Sequence, residues 1–218
     1  MKNANTSAPR GFSSLKAGST DTEAIAVYYD GWASTYDETL AGWEYEAPND
    51  IARLVASHLK DDALILDVGC GTGLVSQALN AGRGERRLHG IDISSQSLKQ
   101  AEKRGAYERL FCHDLQKPPL PLTSNAYDAA VCVGVLTYVE DAGPLFHDLC
   151  RCVRSGGVIA FTQRVDRWEQ PDFDRVIGAV ADQRLWKLLD KSAPQSYLPG
   201  NADFGEEIKI ILTLCQVL

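Results

Sequence analysis

The sequence predicts an α/β protein in which a mostly parallel sheet lies between two layers of helices, a three-layer sandwich. Three observations carry that prediction. Short apolar runs alternate with helical segments from Ala63 to Arg164, the order that strand–helix–strand units produce. Those runs are apolar throughout rather than at every second position, as in Tyr127–Val133, which marks strands covered on both faces. The first run ends in a cluster of glycines that opens a helix, and open parallel sheets bind their ligands at such strand ends.

The 218 residues suit one domain and bury roughly 70% of the extended surface. Residues 1–20 are rich in Ser, Thr, Asn, Gly and Ala with isolated apolar residues, a composition that predicts a disordered arm. The arm holds Lys2, Arg10 and Lys16 and no acid, but no basic amphipathic helix of a presequence is evident. Residues 21–218 then form a single domain, whose first part, about 21–60, is a helical lid. Thr20 and Glu23 have capping-box spacing, so a helix is expected from about Thr22 to Gly31. A second, about Asn49–His58, carries Ile51, Leu54 and Val55 at helical spacing.

Ala63–Val68 reads as the first strand and Ser76–Ala81 as its helix. Arg87–Ile93 is a strand, Ser95–Arg104 a helix and Arg109–Cys112 a short third strand. Pro118, Pro119 and Pro121 mark a loop. Tyr127–Val133 is the fourth strand, Pro144–Val153 a helix, and Gly157–Arg164 a fifth strand after a Ser-Gly-Gly turn. A helix at about Phe173–Gln183 precedes Leu185–Leu189 and Glu207–Leu218, which read as an antiparallel hairpin closing the sheet edge. There is no internal repeat.

Charge narrows the function. With 22 basic and 29 acidic residues the net charge is −7, which disfavours a grip on nucleic acid or docking on an anionic membrane. No apolar run approaches the ~18 residues of a membrane span, and no secretory signal is evident. The six cysteines sit mostly in apolar stretches, where a free thiol behaves as a small hydrophobe, so a reducing, cytoplasmic setting is expected. His147, Cys150 and Cys152 do not make a metal site. On a helix, positions 150 and 152 face about 200° apart, and no second ligand pair lies at finger-like distance.

The strongest motif is Leu64-Ile-Leu-Asp67-Val-Gly69-Cys70-Gly71-Thr-Gly73-Leu74. Glycines there let the backbone approach a ligand and adopt unusual dihedral angles. The dinucleotide fingerprint G-x-G-x-x-G/A puts its third small residue where this chain has Leu74, so NAD is disfavoured. Asp92, in Gly90-Ile-Asp92-Ile93-Ser94, stands at the end of the second strand, where a carboxylate accepts from both hydroxyls of a ribose. Its bland reading is a cap for the next helix. Asp114 and Leu115 follow the third strand, a pair suited to the amino group and the face of an adenine. Val133 and the residues after it wall the other side.

Together these motifs resemble those of class I S-adenosylmethionine-dependent methyltransferases, over roughly residues 25–165. More narrowly, Tyr29-Asp30-Gly-Trp32-Ala-Ser-Thr-Tyr36-Asp37 and Tyr197-Leu-Pro-Gly resemble methyltransferase-like proteins of the Williams–Beuren region type. The resemblance implies a Rossmann-like, seven-stranded sheet of order 3-2-1-4-5-7-6 with strand 7 antiparallel. It implies S-adenosyl-L-methionine as cofactor, with Gly69, Cys70, Gly71, Gly73 and Leu74 around its methionine part and Asp67 near its ammonium. Asp92 would hold the ribose and Ile93 the adenine, with Asp114 and Leu115 on the adenine edge and face, beside Val133. Trp32 and Tyr36 would close over the cofactor, or else pack the lid.

The cofactor carries the hard chemistry, and the protein aligns a nucleophile and excludes water. A general base is optional. After the fourth strand the chain reads Val133-Gly-Val-Leu-Thr-Tyr138, without the Pro-Pro-Tyr type motif of amino-methylating enzymes. Substrate-side candidates are Tyr138, as a hydrogen-bond donor, and Arg164, as a carboxylate clamp or else an ion pair with Asp166 or Asp172. The aromatic loops Trp43–Tyr45 and Arg167–Phe173, with Trp168 and Phe173, could stack on an acceptor or pack. Short substrate elements favour a small-molecule acceptor. A cofactor-binding sensor or partner subunit without transfer is the alternative, and monomer and homodimer are both compatible with the sequence.

Overall fold

A computed structural model of the chain describes residues 14–81, 86–169, 172–205 and 207–218. Three helices precede the sheet: α1 (Thr22–Trp32), α2 (Tyr36–Gly42) and α3 (Ala47–Val55), the last continued by a 3₁₀ turn at Ala56–His58. The cap of α1 is Asp21 rather than Thr20: its carboxylate accepts the Ala24 N–H at 2.7 Å. A carboxylate there also complements the positive end of the helix dipole. Asp21→Ala is expected to cost about 1 kcal/mol of stability, read from a urea midpoint; an unchanged midpoint would deny Asp21 that role. The second helix, α2, was not anticipated, because seven residues are too few to display a helical period. Helix α3 begins earlier than its apolar spacing suggested, since Pro48 lies in its first turn, where a missing N–H costs nothing.

The remaining elements alternate as expected: β1 (Leu64–Val68), α4 (Leu74–Asn80), β2 (Arg87–Asp92), α5 (Ser95–Arg104), β3 (Arg109–Cys112), β4 (Tyr127–Cys132), α6 (Ala142–Cys152) and β5 (Val153–Arg164). They are followed by α7 (Val165–Trp168), α8 (Phe173–Asp182), β6 (Trp186–Lys191), β7 (Gln195–Ser196) and β8 (Lys209–Val217). The sheet order is β3-β2-β1-β4-β5-β8-β6. The first five strands are mutually parallel, and β8 runs antiparallel to both β5 and β6. Not counting the two-residue β7, which pairs with β8, this is the expected 3-2-1-4-5-7-6. The terminal segments are therefore not a bare hairpin, because β7 adds a second contact on β8.

Two details differ from expectation for physical reasons. Strand β5 starts at Val153, so the Ser-Gly-Gly segment lies inside it as a bulge. Tyr127 pairs with Val153 and Ala129 with Val158, and Gly157 is needed because a Cβ there would lie 2.6 Å from the Asp128 carbonyl. Residues 14–20, expected to be disordered, lie against the domain. Arg164 donates to the Leu15 and Lys16 carbonyls at 3.0 and 2.8 Å, and Arg167 donates to that of Ala17. Residues 1–13 of the expected arm lie outside the described residues.

The core has two layers. On one face α6 and α8 bring Phe146, Leu149 and Ile177 against Phe161 and Trp186; on the other α3 and α4 bring Ile51, Val55 and Leu79 against Ile65, Leu88 and Val131. Strand β1, flanked by β2 and β4, is the point where the strand order reverses. The carboxyl ends of β1, β2, β3 and β4 therefore place Gly69, Asp92, Asp114 and Val133 along one rim of the sheet.

Candidate active site

The turn after β1 is held by Ile91, whose carbonyl accepts the Gly69 and Cys70 N–H groups at 2.7 and 3.1 Å. Gly69, Gly71 and Gly73 have φ of 69°, 53° and 96°, in the left-handed region that other residues avoid. Their reasons differ. A Cβ at Gly69 would lie 2.2 Å from Val135, and one at Gly73 3.0 Å from Arg104, whereas one at Gly71 would meet nothing within 4 Å. Gly71 alone faces open space.

Asp92 ties this turn to the next strand. Its Oδ2 accepts the Gly71 N–H and its Oδ1 the Ser94 N–H, both at 2.8 Å. The cap of α5 is Ser94, which accepts from Ser97, so the cap reading of Asp92 does not hold. Burial raises the pKa of Asp92 against these donors. Asp114 accepts the Thr22 hydroxyl at 2.9 Å and the Gln116 N–H at 3.0 Å. Burial raises its pKa, but those donors and Lys117 reverse the effect and hold it below the usual range.

The lid is clamped onto the turn by two acids that the sequence reading did not single out. Asp30 accepts the Ser94 hydroxyl at 2.7 Å and the Gln96 N–H at 3.0 Å. Asp37 accepts from Thr72 and pairs with Arg104, whose Nε donates to the Thr72 carbonyl. The available signal was their place in the Tyr29–Asp37 segment, where each acid follows a tyrosine.

A cleft of about 690 Å³ lies on this rim and a second chamber of about 380 Å³ adjoins it, each volume including its open mouth. Tyr36, Gly69, Gly71, Asp92, Ile93, Asp114, Leu115, Val133 and Tyr138 line the cleft. Trp32 lines the second chamber, and Tyr29, Tyr36, Gly134 and Tyr138 line both. Asp67, Cys70, Gly73 and Leu74 do not line either space. Cys70 is buried under the turn, Gly73 caps α4, and Leu74 packs with Leu40 and Trp32.

Asp67 is 1% exposed and accepts the Tyr107 hydroxyl at 2.6 Å on Oδ2, while its Oδ1 has no partner. Burial pushes its pKa up to about 7, with the Tyr107 donor opposing and Asp92 adding to the rise. The folded chain thus holds this proton more tightly than the unfolded one, whose carboxyl titrates near ~3.9. The resulting stability is full below pH ~4 and is lost as pH rises through about 7. Urea unfolding at several pH values should show the native chain losing stability across that window relative to Asp67→Asn. Parallel curves for the two proteins would contradict this.

Arg164 is not a free carboxylate clamp. It is 3% exposed, grips Asp166 through Nε and Nη2 at 2.9 and 2.6 Å, and binds the Leu15 and Lys16 carbonyls with the rest of its fork. Trp168 and Phe173 pack rather than stack on a ligand. They are 6% and 4% exposed, their rings lie 5.2 Å apart, and the indole donates to Asp174. Trp43 packs on Trp32. Tyr138, on a 3₁₀ turn after β4, meets Tyr29 edge-on at 5.6 Å. Gly134, expected with Val133 to wall the site, stands at the chamber walls with Tyr29 and Tyr197, which the sequence offered only as part of the resemblance.

Residues 66–161 match the methyltransferase domain family. Over 180 residues the chain is 37% identical to human methyltransferase-like protein 27, covering 73% of this chain and 71% of that protein. It is 28% identical over 165 residues to a malonyl-[acyl-carrier protein] O-methyltransferase of Serratia marcescens, covering 72% of this chain and 62% of the relative. Among solved structures, the [4+2]-cyclase SpnF superposes with a TM-score of 0.68 at 18% identity, over 90% of this chain and 96% of that one. A TehB-like S-adenosylmethionine-dependent methyltransferase from Corynebacterium glutamicum gives 0.66 at 18% identity, over 88% and 99%. Those two show the fold. Identity of 37% across more than two thirds of the human protein, on the sheet order and strand-end acids described above, shows the descent: the chain belongs to the class I S-adenosylmethionine-dependent methyltransferases.

Proposed function

We propose that the cleft at the rim holds the cofactor of this methyltransferase, S-adenosyl-L-methionine, and that the adjoining chamber holds a small-molecule acceptor, in the cytoplasm. The observation that carries this reading is the shared wall: one cleft is lined by Asp92 and Asp114, and a smaller aromatic chamber meets it across Tyr29, Tyr36, Gly134 and Tyr138. The residues fit the cofactor, because the open space over Gly71 leaves room for a ligand against bare backbone. No helix among the described residues is long and apolar enough to cross a membrane.

In this reading Asp92 accepts from the ribose hydroxyls, Asp114 from the adenine amino group, and Ile93 and Leu115 cover the ring. Gly69 and Gly71 pass under the methionine part, and Tyr36 with Trp32 closes the lid side. Asp67 stiffens the turn from below through Tyr107. Cys70, Gly73 and Leu74 shape the turn without touching the ligand. The cofactor supplies a methyl group activated by a sulfonium. The protein's work is to orient the acceptor against it and to keep water out. A sensor without transfer would use the cleft and leave the chamber without a purpose.

Equilibrium binding tests the cleft. S-adenosylhomocysteine should raise the melting temperature and NAD should not; the reverse would refute the assignment. A labelled-methyl assay against small-molecule extracts then tests transfer, with the label expected in a small organic fraction rather than in protein or RNA.

A further inference from the structure

The chamber beside the cofactor cleft has an unusual chemistry. Its walls include Tyr29, Tyr36, Tyr45, Tyr138 and Tyr197, with Trp32 and Phe204. Among the described residues, no Asp, Glu or His side chain lines it. Burial raises the pKa of all five phenols. At neutral pH they are therefore hydrogen-bond donors and not bases. The acids of the neighbouring cleft already accept backbone N–H groups, Asp92 from Gly71 and Ser94 and Asp114 from Gln116.

The donors converge at one point. A Cβ on Gly134 would lie 2.8 Å from the Tyr45 hydroxyl and 3.0 Å from that of Tyr197, and Gly134 lines both spaces. The Tyr45 and Tyr197 hydroxyls share a hydrogen bond. That bond uses one of their two protons and leaves the other for a further acceptor. The only charged side chain among the described residues of the wall is Arg164. Its partner Asp166 is 41% exposed on its side chain while Arg164 is 3% exposed, so the pair turns its positive end inward. Arg164 also opposes the pKa rise of Tyr138 and Tyr197.

A chamber of donors with a cation behind them, and no base, selects its acceptor by charge. Thiols and phenols titrate above neutrality and need a base to become nucleophiles. An ammonium needs both a base and an anionic or carbonyl partner. A carboxylic acid arrives already ionised. Resting on the cofactor assignment above, we propose that the acceptor is a small carboxylic acid, bound as its carboxylate with one oxygen on the Tyr197 hydroxyl beside Gly134 and methylated on oxygen. The carboxylate oxygen forms a bond to the methyl carbon as the carbon–sulfur bond breaks, and that electron pair stays on sulfur. The anion and the sulfonium become a neutral ester and a neutral thioether, and no proton moves. A buried aromatic site assists, because a reaction that removes two opposite charges gains when water solvates neither.

The test uses the full chain saturated with S-adenosylhomocysteine and titrated by calorimetry with 3-phenylpropanoate and hexanoate, each against its amide, alcohol and amine. The acids should bind at least ~10-fold more tightly than their neutral counterparts, the worth of about one charge-assisted hydrogen bond. Tyr197→Phe should remove that preference while its affinity for S-adenosylhomocysteine, measured in parallel, stays unchanged. Tritiated S-adenosylmethionine should then label the acids, and mild alkali should release the label as methanol. Equal binding of acids and amides, an alkali-stable product from an amine, thiol or phenol, or transfer to none of the set would overturn the proposal. Failure to bind S-adenosylhomocysteine would instead remove the cofactor assignment beneath it, so the two failures are distinguishable.

Discussion

Gly71→Val is expected to weaken S-adenosylhomocysteine binding at least ~100-fold, about 2.7 kcal/mol, in a protein that still folds. Two effects add. The backbone at Gly71 has φ 53°, and a left-handed conformation costs a residue with a Cβ about 1–2 kcal/mol. The side chain would also enter the cleft, since nothing of the protein lies within 4 Å of the new Cβ. Calorimetry beside a urea melt separates binding from stability. A folded variant with near-native affinity would mean that the cofactor does not pass over Gly71. Gly69→Ala makes the useful contrast. Its Cβ would strike Val135, so overpacking should cost about 1–3 kcal/mol of stability.

Asp92→Ala should weaken the same ligand about 100-fold. A carboxylate that accepts from two ribose hydroxyls makes two charge-assisted bonds of about 1.5–3 kcal/mol each, and about 3 kcal/mol is two decades of affinity. The structure adds a second consequence. Asp92 also accepts from Gly71 and Ser94, so the variant should lose stability and loosen the turn. An analogue of S-adenosylhomocysteine lacking both ribose hydroxyls tells the two apart. If the hydroxyl contacts dominate, native and variant proteins should bind that analogue almost equally. A loss of the same size with the analogue would place the effect in the turn and contradict the ribose role.

The two substitutions report on the same rim from different origins. Gly71 is bare backbone facing open space, and Asp92 is a charge held at a strand end by the parallel sheet. Both stand out in the sequence itself. So do the acid and apolar residue after β3, Asp114 and Leu115, because in a parallel sheet the strand ends fall on one edge whatever the details of packing.

Local chemistry in the chain determined the strand and helix alternation, the buried character of the parallel strands and the acids at their ends. These depend on periodicity and on turn residues close in sequence. The antiparallel edge was legible only in outline, since β7 is too short to carry a pattern and pairs through register with β8. The chamber beside the cleft was legible only in part: Tyr138, Arg164 and the Trp43–Tyr45 loop stood out as substrate-side candidates, but not their assembly around one space. Its walls come from α1, α2, the residues after β4, the end of β5 and the Tyr197 loop, and no spacing rule joins Tyr45 to Tyr197 or Arg164 to Leu15. Arg164 read as a carboxylate clamp, because a planar fork suits that task, or else as an ion pair with Asp166 or Asp172, and it pairs with Asp166. The fold buries its fork among Asp166 and the carbonyls of residues 15 and 16, since a buried guanidinium must satisfy its donors. The rim of strand ends follows from sequence-local geometry, while the chamber beside it is built by side chains that only tertiary packing brings within reach of one another.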